Sequence, residues 1–128
     1  MNPDFPCAIA ESAPSVLLVE SEAETREVLT TILQLRGLRI FQADEPVAGL
    51  QLAGEERPDV IVLDFDQHAI DDGLQSEFAA RTRQPNSGLI VLGSAPPARQ
   101  ATKDRFIAKP FHYGPLVQTI ERLVGKAA

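Results

Sequence analysis

Short apolar runs recur along the chain, at 16–19, 60–63, 89–92 and 106–108, with a fifth strand candidate at 38–41 that is broken by Arg39. Between them, apolar positions fall back to a spacing of three or four. An unbroken apolar run this short, rich in valine, isoleucine and leucine, predicts a strand covered on both faces. The longer segments predict amphipathic helices. In the first, Val28, Leu29, Ile32, Leu33 and Leu35 share helical spacing, Gly37 is the natural stop, and Ser21 with Glu24 has capping-box spacing. The second is expected to start at Asp44 or Glu45, ahead of Pro46 in a first turn, to bury Val47 and Leu50, and to end at Gly54. A weaker helix carries Leu74 and Phe78. The last, over 113–124, presents Leu116, Val117, Ile120, Leu123 and Val124. Segment 95–105 contains Pro96 and Pro97 and few apolar residues, leaving room for one or two helical turns. Residues 1–14, with Pro3, Pro6 and Pro14 and no periodicity, read as a disordered tail, and 15–126 as one domain.

Strand and helix alternate about five times. Strands this apolar need helices over both faces, so the fold class is α/β with a parallel, doubly wound sheet. In such a sheet every strand delivers its carboxyl end to one rim, where ligands bind. Four polar groups fall at those ends: Glu20-Ser21-Glu22, Asp64 with Asp66, Gly93-Ser94, and Lys109. Carboxylates gathered at one rim repel each other unless a cation or a shared proton relieves them. Mg²⁺ is the natural relief, because it prefers carboxylate oxygens and keeps waters that a phosphate can replace. A lysine opposite neutralises a phosphoryl group on an aspartate, and carboxylates are known phosphoryl acceptors. The pattern therefore suggests metal-assisted phosphorylation of Asp64.

The motifs Val-Leu-Leu-Val-Glu-Ser at 16–21, Arg-Pro-Asp-Val-Ile-Val-Leu-Asp at 57–64 and Phe-Ile-Ala-Lys-Pro-Phe at 106–111 resemble those of bacterial response regulator receiver domains. The resemblance covers nearly all of residues 15–125. It implies a flavodoxin-like, five-stranded sheet of order 2-1-3-4-5. It also implies that Asp64 is the phosphoacceptor, charged from a histidine kinase or phosphotransfer protein, and that Lys109 contacts the phosphoryl group ahead of a cis bond to Pro110. Ser94 and Phe106 would be the switch residues. Glu20, Asp64 and the backbone carbonyl of Asp66 would hold Mg²⁺, and a downstream effector protein would read the result.

The sequence departs from the family pattern at several positions. The second acid after the first strand is replaced by Ser21, a poor metal ligand, so Mg²⁺ binding is expected to be weak or lost unless Glu22 or the Asp66 side chain compensates. The hydroxyl residue at the end of the fourth strand falls on Gly93, with Ser94 one place along. Gln67-His68 stands where a proline is usual, and that loop is about one residue longer. The fourth helix is expected to be shortened, by the family pattern, by roughly two turns. Each residue also has a plain structural reading: Asp64 as a turn aspartate, Lys109 as a solvated lysine, Ser21 as an N-cap, Phe106 as core.

Composition narrows the function classes. A 128-residue chain of net charge −6 has no electrostatic footprint for nucleic acid or an anionic membrane. The lone cysteine, Cys7, allows no intrachain disulfide, no apolar run is long enough to span a bilayer and the N-terminus shows no secretion signal, so a cytoplasmic location is expected; the chain is further expected to be a monomer or weak dimer. His68 and His112 lack partners at metal or triad spacing. Two alternatives stand beside a phosphorylated receiver. One is a pseudo-receiver interaction module that takes no phosphate. The other is a haloacid-dehalogenase-type phosphohydrolase with Asp64 as nucleophile and Asp66 as acid/base, for which the only acid after Lys109 is Glu121.

Overall fold

In the computed structural model, which describes residues 13–64, 72–85, 87–94 and 106–125, five strands pair in parallel. They are β1 (Ser15–Val19), β2 (Arg39–Ala43), β3 (Val60–Asp64), β4 (Leu89–Gly93) and β5 (Phe106–Ala108). Their order is β2-β1-β3-β4-β5, so the chain runs outward from β1 to β2 and then returns to β3 on the other side. The helices are α1 (Ala23–Leu35), α2 (Pro46–Glu56), α3 (Asp72–Ala80) and α4 (Tyr113–Leu123).

Side chains alternate across the sheet with the period of two that a strand imposes. Val16, Leu18, Val60, Val62, Ile90 and Leu92 face α1 and α4, where Leu29, Leu33, Leu116, Val117 and Ile120 meet them. Leu17, Val19, Ile61, Leu63, Leu89 and Val91 face α2 and α3, against Ala53, Phe78 and Ala79. This two-sided burial is why β1, β3 and β4 read as unbroken apolar runs. Burying each large apolar side chain contributes about 1.5–3 kcal/mol, which makes the three central strands the foundation of the domain.

The helices hold most of the sequence reading and correct part of it. α1 ends in a Schellman turn: Leu38 N–H donates to Leu33 O at 3.2 Å and Gly37 N–H to Gln34 O at 2.9 Å, with Gly37 at φ 84°. Its N-cap is Glu22, not Ser21, because the helix starts one residue later than the capping-box spacing implied. Leu35 is 82% exposed and Val28 lies at the surface, so only part of the expected apolar face is core. In α2, Glu45 caps the first turn, its carboxylate accepting from Val47 N–H at 2.7 Å and Ala48 N–H at 3.1 Å. Val47 is 74% exposed, contrary to expectation, whereas Leu50 packs half-buried against the core as expected; the fully buried positions are Pro46, Gly49 and Ala53. Gly54 does not end the helix, which runs to Glu56 and stops at Arg57 in the left-handed region (φ 49°).

A clip holds the amino ends of the strands together. Asp59 Oδ2 accepts from Ser15 N–H at 2.8 Å, Asp59 N–H donates to Ser15 O at 3.0 Å, and Arg83 Nε sits 3.1 Å from Asp59 Oδ1. Gly88 passes so close that a Cβ there would lie 2.1 Å from Asp59 O. At the same end Arg39 ties down the last two residues of the expected tail, donating to Pro14 O from its N–H and to Ala13 O from Nε. Residues 1–12, the loop with Asp66 and His68, and the segment of the shortened helix lie outside the described residues, as does Cys7. Among the described residues, no helix is long and apolar enough to cross a membrane.

Candidate phosphorylation cleft

The crevice between β1 and β3, where the chain reverses its direction of travel across the sheet, opens at the carboxyl rim. β1 delivers Glu20 there, β3 ends in Asp64, β4 ends in Gly93 followed by Ser94, and β5 runs into Lys109. Register sets the convergence. Asp64 pairs with Leu92, Gly93 with Ala108, and Lys109 N–H donates to Gly93 O at 2.9 Å. The lysine side chain then reaches across β4 to Asp64. Lys109 Nζ donates to both carboxylate oxygens, at 2.8 Å to Oδ1 and 2.7 Å to Oδ2. Asp64 is 4% exposed, so its charge is taken out of water and balanced by this ammonium.

Glu20 is also buried and is pinned by the turn that follows it. Its N–H donates to Ala43 O at 3.0 Å, its carbonyl accepts from Arg26 Nη1 at 2.7 Å, and its Oε2 accepts from Glu22 N–H at 3.1 Å. Burial pushes the Glu20 carboxyl above its usual range, and the Asp64 carboxylate beside it pushes the same way; the Glu22 N–H and the Lys109 charge oppose them. Two carboxyl groups thus share one lysine. The cleft around them measures about 740 Å³. Ser21, Glu22 and Thr25 line one wall, and Pro110, Phe111 and Tyr113 line another. The Phe111 and Tyr113 rings stack edge to face, with centroids 5.4 Å apart and planes at 85°. The Lys109–Pro110 peptide is cis.

The structure therefore brings together Glu20, Ser21, Asp64, Ser94 and Lys109. Phe106 does not line this cleft; it is half-buried on the opposite sheet face, with the α2/α3 core. Glu22 reaches the rim, but its carboxylate accepts from the Thr25 hydroxyl. Among the described residues, no three acidic, histidine or cysteine side chains gather as a metal cluster. The donor set fits a hard cation held by two carboxylates, Glu20 and Asp64, whose mutual repulsion such a cation would relieve. Glu121, the lone acid after Lys109 and so a weak point of the phosphohydrolase reading, is bound to Arg36 at 2.9 Å and lines no part of the cleft. Sequence reasoning missed Arg26, Thr25 and the wall formed by Phe111 and Tyr113. Phe111 lay within the Lys-Pro-Phe motif, but nothing in the pattern singled out the other three.

Comparison with known proteins gives a consistent result. The family model described as response regulator receiver domain matches residues 16–121. The KDP operon transcriptional regulatory protein KdpE of Escherichia coli is 34% identical over 109 residues, covering 80% of this chain and 47% of KdpE. This chain spans about half the length of the curated relatives it matches first. The receiver domain protein of Methanospirillum hungatei superposes with a TM-score of 0.76 at 17% identity, over 90% of this chain and 96% of that one. The receiver domain of the sensor histidine kinase PA1611 from Pseudomonas aeruginosa, whose structure has a magnesium ion coordinated in its active-site cleft, superposes with a TM-score of 0.63 at 20% identity. That match covers 89% of this chain and 99% of the other.

Proposed function

Because the chain belongs to the response regulator receiver domain family, we propose that it accepts a phosphoryl group on Asp64 from a histidine kinase or phosphotransfer protein and signals through an effector protein. The observation that carries this reading is the Lys109 ammonium seated on both Asp64 oxygens at the mouth of a polar cleft. An Asp64 oxygen attacks the phosphorus of a phosphohistidine or acyl phosphate. The new O–P bond forms as the P–N or P–O bond to the donor breaks, and imidazole or carboxylate leaves. Lys109 then turns from the carboxylate to a phosphoryl oxygen, because the charge it balances has moved. Mg²⁺, held by Glu20 and Asp64 with the Asp66 carbonyl, would neutralise the phosphoryl oxygens. The switch role falls to Ser94, which lies at the cleft, and to Phe106 on β5.

The test is intact-mass spectrometry after incubation with acetyl phosphate and Mg²⁺. The chain should gain one phosphoryl mass, and Asp64→Asn should gain none. An unmodified wild type would overturn the proposal in favour of the second reading, a pseudo-receiver that binds partners without phosphate. Two observations favour that reading: the neutral Ser21 in the cleft wall, and Gly93, which places no hydroxyl at the end of β4.

A further inference from the structure

We propose that Arg26 is a positioning residue for the cleft, fixing Glu20 beside Asp64 through the Glu20 carbonyl; this rests on the reading of Glu20 and Asp64 as the cation-binding pair. Arg26 stands in the first turns of α1, where the helix macrodipole disfavours a cation. Its neighbours there, Glu22, Glu24 and Glu27, are all acidic. Its guanidinium turns back toward β1 and donates to Glu20 O at 2.7 Å, a charge-assisted bond to a residue only 7% exposed.

Glu20 lies one residue beyond the end of β1, where sheet pairing alone no longer fixes the backbone. Its N–H is taken by Ala43 O on β2. Without Arg26, its part-buried carbonyl would lose this charge-assisted donor, a loss that loosens the turn. The peptide could then rotate about the turn. That rotation would displace the Glu22 N–H and break its bond with the Glu20 carboxylate, leaving the side chain free to swing away from Asp64. One guanidinium thus determines whether two acids on neighbouring strands point at the same ion. The role matters more here than in a cleft with a third carboxylate, because Ser21 contributes no charge.

Arg26→Met keeps the aliphatic stem and removes the donor; Arg26→Lys keeps a donor. Two readouts are taken on the full chain. The first is the Mg²⁺ concentration that half-saturates phosphorylation by acetyl phosphate. The second is the amide proton shift of Glu22 in metal-free protein. Arg26→Met should raise the half-saturating Mg²⁺ concentration about five-fold and move the Glu22 amide upfield, and Arg26→Lys should recover most of both. The proposal is overturned if Arg26→Met matches the wild type in both readouts. It is equally overturned if the methionine and lysine variants lose melting temperature together and lysine restores neither readout. If the wild type takes no phosphoryl group, the phosphorylation reading falls, and the Glu22 amide alone decides the role of Arg26.

Discussion

The Lys109 ammonium lies 2.7–2.8 Å from both oxygens of Asp64 across 45 residues of sequence. Asp64 is almost fully buried, whereas the Lys109 side chain keeps 27% of its exposure. Removing the lysine therefore strands the aspartate more than the reverse. Lys109→Met should destabilise the domain at neutral pH by about 2–4 kcal/mol. Asp64→Asn in the same background should recover much of that loss. Urea denaturation of both single variants and the double variant would measure the coupling, and additive effects would contradict it.

The Glu20 carboxyl is raised above its ordinary value of 4.5 by burial first and by Asp64 second. A raised acid holds its proton in the folded state at a pH where the unfolded chain has released it. The folded state then binds more protons, and the stability from this group falls as pH rises from the unfolded value through the folded one. Glu20→Gln removes that loss. The variant should match the wild type in acid below 4.5 and become the more stable of the two as pH climbs toward neutrality. Thermal denaturation across pH would show the curves parting upward; curves parting in the other direction would contradict the assignment.

Mg²⁺ should reverse that order. A ligand that binds only the folded state at ten times its dissociation constant stabilises by about 1.4 kcal/mol. The wild type should gain this in melting experiments and Glu20→Gln should not, since one of its two candidate ligands has lost its charge.

Gly88 offers a test of the clip. A Cβ there would meet Asp59 O at 2.1 Å, a backbone atom of a residue whose N–H and carboxylate are both tied to Ser15. Gly88→Ala should cost roughly 2–4 kcal/mol. Gly114→Ala on α4, where a Cβ meets nothing within 4 Å, should instead gain about 0.5–1 kcal/mol from helix propensity. Chemical denaturation of the pair separates the steric effect from the backbone effect.

Val47 and Leu33 have similar chemistry and opposite surroundings. Leu33→Ala, at a fully buried position, should cost about 2–5 kcal/mol, and Val47→Ala less than about 0.5 kcal/mol. Equal losses would place Val47 in the core.

These contrasts show what the sequence exposes. β1, β3 and β4 were legible because two-sided burial leaves unbroken apolar runs, and the rim was legible because Glu20, Asp64 and Lys109 directly follow or end short strands. The core face of α2 was misread at Val47 because its fully buried positions are small residues. Gly49 sits where a Cβ would lie 2.8 Å from Val19 Cγ2, so the helix packs by closeness, not by bulk. A hydrophobic pattern registers Val47 and overlooks Gly49. The cap of α1 was misplaced because Ser21 has the right chemistry for an N-cap but the helix begins after Glu22. Arg26 carried no sequence signal, since its partner is a backbone carbonyl, which every residue has.

The Asp59 knot and Asp64, the proposed phosphoacceptor, occupy opposite ends of β3, about 16 Å apart along an extended strand. One end anchors and the other opens on the cleft, with four hydrocarbon side chains, Val60 to Leu63, between them. Ser21 and Gly93 both lie at the cleft end of the sheet, so substitutions at that rim leave untouched the clip that ties the strands together at the other end.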